Sequence, residues 1–160
     1  MIFVTVGTQL PFDRMIRAVD AWAASQPATR CVAQIGPGTY KPEHMQWQAF
    51  LKPSEADALM RDAELIVAHA GMGSVLTALR LRTPIVLLPR KASLGEHRNE
   101  HQLATARWLD GRAGIRVAWE ADELASILDA RDALAHGDGI PDVASGPLVE
   151  RLRGYIAAPH

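Results

Sequence analysis

His69-Ala-Gly-Met-Gly-Ser74 sets a histidine, two glycines and a hydroxyl within six positions, directly after the apolar run Leu65 to Ala68. Such a run can be buried on both faces, as a central parallel strand is. The glycines end it, and from Ser74 onward Val75, Leu76, Ala78 and Leu79 recur with helical spacing. A strand that turns through glycines into a helix leaves unpaired backbone N–H groups at the helix start, where the helix dipole also favours an anion. The chemistry expected here is phosphate binding. His69 reads either as a ligand contact or as a histidine satisfied within its loop. Ser74 reads as the helix N-cap, as a phosphate contact, or as both.

Other constellations point elsewhere. A dinucleotide fingerprint needs G-x-G-x-x-G after the first strand, but that loop offers only Gly7, and the G-x-G of Gly71 and Gly73 meets Leu76 where the third glycine belongs. No Walker lysine follows either. His97-Arg-Asn-Glu-His101 fits H-x-x-E-H, in which two histidines one helical turn apart hold zinc and the glutamate acts as base. Its setting, a helix after a parallel strand at a phosphate site, argues against that use, and no metal is expected. Arg80, Arg82, Arg90, Lys91 and Arg98 come with no acid among them until Glu96, and form either a solvated face or an anion-facing rim. Trp22, Trp47, Trp108 and Trp119 are expected in the core.

The elements that must position these groups alternate. Strands are expected over Ile2 to Val6, Arg30 to Ile35, Met45 to Leu51, Leu65 to Ala68, Pro84 to Pro89 and Ile115 to Trp119. Helices are expected from Phe12 to near Pro27, over 54–62 with Ser54 and Asp57 as the N-cap signature, from Ser74, over 96–109, and over 122–128. Residues 39 to 45 carry no clear signal. The alternation implies a doubly wound, Rossmann-like α/β domain with a parallel sheet, whose ligands bind beyond the carboxyl ends of the strands. That domain is expected over 1–135. A linker rich in glycine, proline and aspartate follows over 136–147, then an amphipathic tail helix over 148–160 that packs back or docks on a second protein.

With 17 basic and 18 acidic residues in 160, the chain gives no reason to expect a nucleic-acid partner. Its single cysteine, Cys31, rules out an internal disulfide and suggests a cytoplasmic address, with the thiol buried in a strand. The apolar start at Met1 is too short for a signal peptide or a span, so work at a membrane would need something else to bring the chain there.

Val4-Thr-Val-Gly-Thr8 with Phe12-Asp13, His69 to Ser74, Pro84 to Arg90, and Glu96 to Gln102 with Ala104 and Ala106 occur together in a known order and spacing. Over residues 1 to 130 the chain resembles the carboxyl-terminal, donor-binding half of family 28 glycosyltransferases. Among these it is similar to stand-alone bacterial exopolysaccharide and capsule subunits and to the small subunit of the dolichol-diphosphate GlcNAc-transferase. The resemblance implies one half of a GT-B enzyme that needs no metal or other cofactor. Such an enzyme moves a sugar from a UDP-sugar, with inversion, to a lipid-linked saccharide acceptor.

By position, Gly71, Met72, Gly73 and Ser74 would face the diphosphate through backbone N–H groups, with Gly7 and Thr8 lining the cleft nearby. Asn99, His101 and Gln102 would contact the donor sugar, and Arg90 and His69 would lie beside the nucleotide. Many relatives carry a ribose-binding glutamate where this chain has Thr77, which reaches less far. The half that supplies the acceptor site, and often the general base, is missing. The resemblance therefore implies a membrane-anchored partner subunit that holds this chain at the inner face of the plasma membrane. A nucleotide-binding regulatory subunit without chemistry, and a zinc hydrolase using His97, Glu100 and His101, are the alternatives.

Overall fold

Six strands form one parallel sheet in the computed structural model, which describes residues 1–134 together with residues 136, 150 and 154. In chain order they are β1 (Ile2–Thr5), β2 (Cys31–Gln34), β3 (Gln46–Gln48), β4 (Leu65–His69), β5 (Ile85–Leu88) and β6 (Ile115–Val117). The helices between and after them are α1 (Asp13–Ala24), α2 (Pro53–Asp62), α3 (Met72–Leu81), α4 (His101–Leu109) and α5 (Glu123–Asp129). The expected linker and tail helix lie almost wholly outside the described residues.

Alternation along the strands sorts the core into two layers. Ile2, Val4 and Val67 pack with Met15, Ile16, Val19, Leu124 and Leu128, which seats α1 and α5 on one face. Phe3, Ile66 and Ala68 pack with Met60, Val75, Ala78, Ala106 and Leu109, which seats α2, α3 and α4 on the other. Ile66 and Leu87 are fully buried, each contributing about 2 kcal/mol of burial free energy. The spatial order β3-β2-β1-β4-β5-β6 is that of the doubly wound α/β fold expected from the sequence. The order reverses between β1 and β4, which pair from Ile2 with Leu65 to Thr5 with Ala68. A crevice must open beyond their carboxyl ends, because the chain leaves the two strands toward opposite faces of the sheet.

Several boundaries differ from expectation, each for a local reason. The helix expected over 96–109 begins only at His101. Before it, side chains engage the loop instead: Glu96 is held by Arg14, Glu100 Oε1 accepts from Ser93 N–H at 3.1 Å, and Asn99 Oδ1 accepts from His101 N–H at 3.0 Å. Such side-chain bonds offer the backbone an alternative to the helix. α2 opens at Pro53, so Ser54 is not its N-cap; the preceding Lys52 N–H donates to Glu55 at 2.9 Å. α3 opens at Met72 with Gly71 as N-cap, so Ser74 lies in the first turn. Trp47 is 38% exposed on the edge strand rather than in the core, and only Trp22 of the four tryptophans is fully buried. There Trp22 Nε1 donates to Asp129 at 2.8 Å and ties α1 to α5.

The connection over 39–45 is organised from α1. Asp20, 2% exposed, accepts from the Tyr40 hydroxyl at 2.7 Å and from the N–H groups of Glu43 and His44. Asp13, two turns earlier on the same face of the helix, accepts from the N–H groups of Thr39 and Tyr40 and from the Thr39 hydroxyl.

Candidate functional site

At the switch point between β1 and β4 lies a cleft of about 440 Å3, within the usual range of small-molecule sites. The loop after β1 lines it with Gly7, Thr8, Gln9 and Leu10. The turn after β4 adds His69 and the residues from Gly71 to Ser74, and the loop after β5 adds Arg90 and His97, with Gln102 from α4. No carboxylate is among the lining residues, so nothing there repels an anion.

The start of α3 supplies donors. Its first intrahelical bond runs from Val75 N–H to Gly71 O, and no side chain caps the helix. The N–H groups of Met72, Gly73 and Ser74 therefore have no helical acceptor, and the positive end of the dipole faces the cleft. A Cβ placed on Gly73 would meet nothing within 4 Å, so this corner is open space.

His69 ends β4, and two glycines make room for its ring. A Cβ on Gly71 would stand 2.1 Å from Cε1, and one on Gly7, whose φ is +76°, would stand 2.9 Å from Nε2. Burial, aided by the Arg90 guanidinium, holds the His69 pKa down to about 4. At neutral pH the ring is uncharged. Gln102 Nε2 lies 3.0 Å from His69 Nδ1, while Gln102 Oε1 accepts from Arg90 N–H at 3.0 Å.

Arg90 lines the cleft from beneath and is itself engaged. Its guanidinium donates to the carbonyls of Val6 at 2.7 Å, Leu10 at 2.9 Å and Pro11 at 2.6 Å, and stacks 4.7 Å from the centre of the Phe12 ring. Burial lowers its pKa to about 10, partly countered by Glu96, and it stays charged at neutral pH. The first loop is wound on this cation. Arg14 grips Glu96 through Nε and Nη2, the latter at 2.9 Å, and also donates to Pro89 O, fastening α1 to the loop after β5. Gln34 Nε2 donates to Gly7 O at 3.0 Å and holds the same loop from the β2 side.

Of the residues expected from the sequence, the structure brings Gly7, Thr8, His69, Gly71, Met72, Gly73, Ser74, Arg90 and Gln102 to one cleft. Thr77, Asn99 and His101 do not line it. The Thr77 hydroxyl donates back to Gly73 O at 2.9 Å, one turn down its own helix. The basic rim also divides: Arg90 is buried, Lys91 pairs with Glu120, and Arg80, Arg82 and Arg98 face solvent. His97 and His101 do not share a helix, which removes the premise of the zinc motif. Among the described residues no cluster of three or more His, Cys, Asp or Glu could hold a metal. Cys31 is buried in β2, and burial pushes its thiol pKa up. Sequence reasoning passed over His97 as a cleft residue, and Gln34, Arg14 and Glu96 as its supports; their partners lie far away in the chain, where no local pattern could show them.

The model of the glycosyltransferase family 28 C-terminal domain matches residues 1–124. The human UDP-N-acetylglucosamine transferase subunit ALG13 is 35% identical over 118 residues, which cover 68% of this chain and 10% of that protein. The UDP-N-acetylglucosamine--N-acetylmuramyl-(pentapeptide) pyrophosphoryl-undecaprenol N-acetylglucosamine transferase of Rhodospirillum rubrum is 29% identical over 105 residues, 57% of this chain and 26% of that protein. The chain thus spans about a tenth of the human relative and a quarter of the bacterial one. An NMR solution structure of ALG13 shares the fold, with a TM-score of 0.62 at 17% identity over 94% of this chain and 93% of that one.

Proposed function

The chain belongs, over residues 1–124, to the family of glycosyltransferase family 28 C-terminal domains, and from that premise we propose that its cleft binds the UDP-sugar donor of a glycosyltransferase built from two subunits. The observation that supports this most is the meeting of the free first-turn N–H groups of α3 with a neutral His69 at the switch point of the sheet, in a cleft without carboxylates. A diphosphate seated there lies among fixed donors. When the acceptor oxygen attacks the anomeric carbon from the opposite side, the sugar C–O bond to phosphate breaks and the configuration inverts. Charge then grows on the departing UDP, and dipoles already in place stabilise it without reorganising. No metal or other cofactor is needed in this reading, because the helix terminus and the neutral donor take the leaving charge.

Gly71, Met72, Gly73 and Ser74 hold the diphosphate in this reading, with Gly7 and Thr8 on the facing wall. The donor sugar reaches toward His97 and the start of α4, where Asn99 and His101 stand. Thr77 offers the ribose no carboxylate, so the nucleoside is held mainly through its phosphates. The acceptor, a lipid-linked saccharide, and the general base come from a membrane-anchored partner subunit that brings this chain to the cytoplasmic face of the membrane. The product belongs to exopolysaccharide or capsule synthesis. No described helix is long and apolar enough to cross a bilayer, which fits attachment through a partner. Titration calorimetry with UDP, UDP-sugars and zinc tests the reading. Binding of UDP-sugar that Gly73→Asp abolishes is the expected result, and zinc binding without nucleotide binding would overturn it.

A further inference from the structure

The orientation of an amide side chain usually has to be inferred from its neighbours, but at Gln102 one neighbour leaves no choice. The backbone N–H of Arg90 can only donate, so the Gln102 atom 3.0 Å from it is the carbonyl oxygen. The amino group is then the atom 3.0 Å from His69 Nδ1. An amino group donates, so Nδ1 must accept and the ring proton of neutral His69 sits on Nε2. That nitrogen lies between Gly7 and Gly71, where a Cβ on either glycine would stand within 3 Å of it, and all three residues line the cleft. Gln102 lines the cleft but is only 5% exposed, and both ends of its amide are already engaged, one by Arg90 N–H and the other by His69 Nδ1.

We propose that Gln102 is a positioning residue that fixes His69 as a neutral Nε2–H donor aimed at the phosphates of the bound nucleotide. The assignment of phosphate as the recipient rests on the donor-binding reading above; the assignment of the proton does not. The charged and titratable groups acting on the ring are Arg90 and His97, and both disfavour a second proton there. If the amide turned over, its carbonyl could hold an imidazolium, but the Arg90 N–H would then face an amino group. The same three residues thus lock one another. A histidine held this way offers the same hydrogen bond across the physiological range, whereas an ordinary imidazole would change charge within it.

Two arms test this, on the whole chain. In the ligand-free protein with 15N-labelled histidine, imidazole nitrogen shifts should show His69 protonated at Nε2 alone from pH 5.5 to 8.5, with the signal identified by its absence in His69→Asn. In Gln102→Glu, a carboxylate that accepts from both sides should move a proton onto Nδ1. The second arm is the pH dependence of affinity for UDP-N-acetylglucosamine, whose phosphates do not ionise in that interval. The wild type should be flat, and Gln102→Glu should weaken roughly tenfold from pH 5.5 to 8.5 as the Nε2 proton is lost. A wild-type ring protonated at Nδ1, or a Gln102→Glu ring that keeps its proton on Nε2 alone, would overturn the inference. Should Gln102→Glu not fold, the wild-type spectrum decides. Absence of nucleotide binding at every pH would instead sink the donor-binding reading, and the ligand-free spectra would still decide where the proton sits.

Discussion

A methyl group on Gly71 would stand 2.1 Å from Cε1 of His69, closer than any real contact, although φ at Gly71 is −90° and suits any residue. The glycine is needed for the room it leaves. Gly71→Ala is therefore expected to displace the imidazole, weaken UDP binding by about tenfold or more, and cost about 1–3 kcal/mol of stability. Gly73→Ala, two residues on, meets nothing and should leave the melting temperature unchanged or slightly raised. Calorimetry and thermal unfolding of the pair check this; equal behaviour of the two variants would refute it.

Acid should weaken the fold in two separate windows. His69 has a pKa of about 4 when folded and the ordinary value near 6.5 when unfolded, so below 6.5 the unfolded chain binds the extra proton. The stability that depends on its neutral form is intact above 6.5 and lost as pH falls toward 4, by up to about 3 kcal/mol. Burial by itself would raise the Asp20 carboxyl, but its bonds from Tyr40, Glu43 and His44 hold it below the ordinary value. That contribution is present above about 4 and disappears only in stronger acid. Urea midpoints at pH 7, 5 and 3.5 resolve the windows, and His69→Asn should flatten the first.

Replacing Asp20 with asparagine removes an acceptor that nothing else supplies. Oδ1 takes the His44 N–H and Oδ2 takes the Tyr40 hydroxyl and the Glu43 N–H, so one amide end must face donors with a donor. A cost of about 2 kcal/mol is expected, with faster amide exchange over 39–44 and unchanged exchange in β4. Exchange measured by mass spectrometry would show it, and uniform loosening of the whole chain would contradict it.

Glu96→Gln should loosen the loop after β5. The carboxylate accepts bidentately from Arg14 and also receives the Lys91 N–H, with its side chain only 11% exposed. Its loss leaves the Arg14 guanidinium half-buried and poorly paired, at a cost of about 2 kcal/mol. Nucleotide affinity should fall several-fold because His97 shares that loop. A variant with normal affinity and normal stability would show the ion pair to be dispensable.

Where the sequence could be read and where it could not follows the reach of each interaction. The strands and the faces of α1 and α3 rest on apolar periodicity within a dozen residues. The glycine turn after β4 is equally local, and it led directly to the cleft. His97 to His101 misled because five residues with helical spacing need not be a helix when their side chains bond to neighbouring loops. The connection over 39–45 has no pattern of its own, since its conformation is imposed by Asp13 and Asp20 on α1. Arg90 and Gln102 were legible as cleft residues, but the groups they bond to were not. Each is committed to backbone or ring atoms that only the folded sheet brings near.

That commitment bears on the order in which the cleft can come into being. Val6, Leu10 and Pro11 turn their carbonyls onto a guanidinium 79 to 84 residues further along the chain. Until β5 has joined β4 in the sheet, those carbonyls have only water, and the first wall has no template to fold around. A nascent chain that has emerged only as far as Leu88 carries every residue of the glycine turn and of the first loop, yet not the recess between them. In the donor-binding reading proposed above, a nucleotide can therefore act as a folding ligand only once Arg90, beyond the fifth strand, has reached those carbonyls.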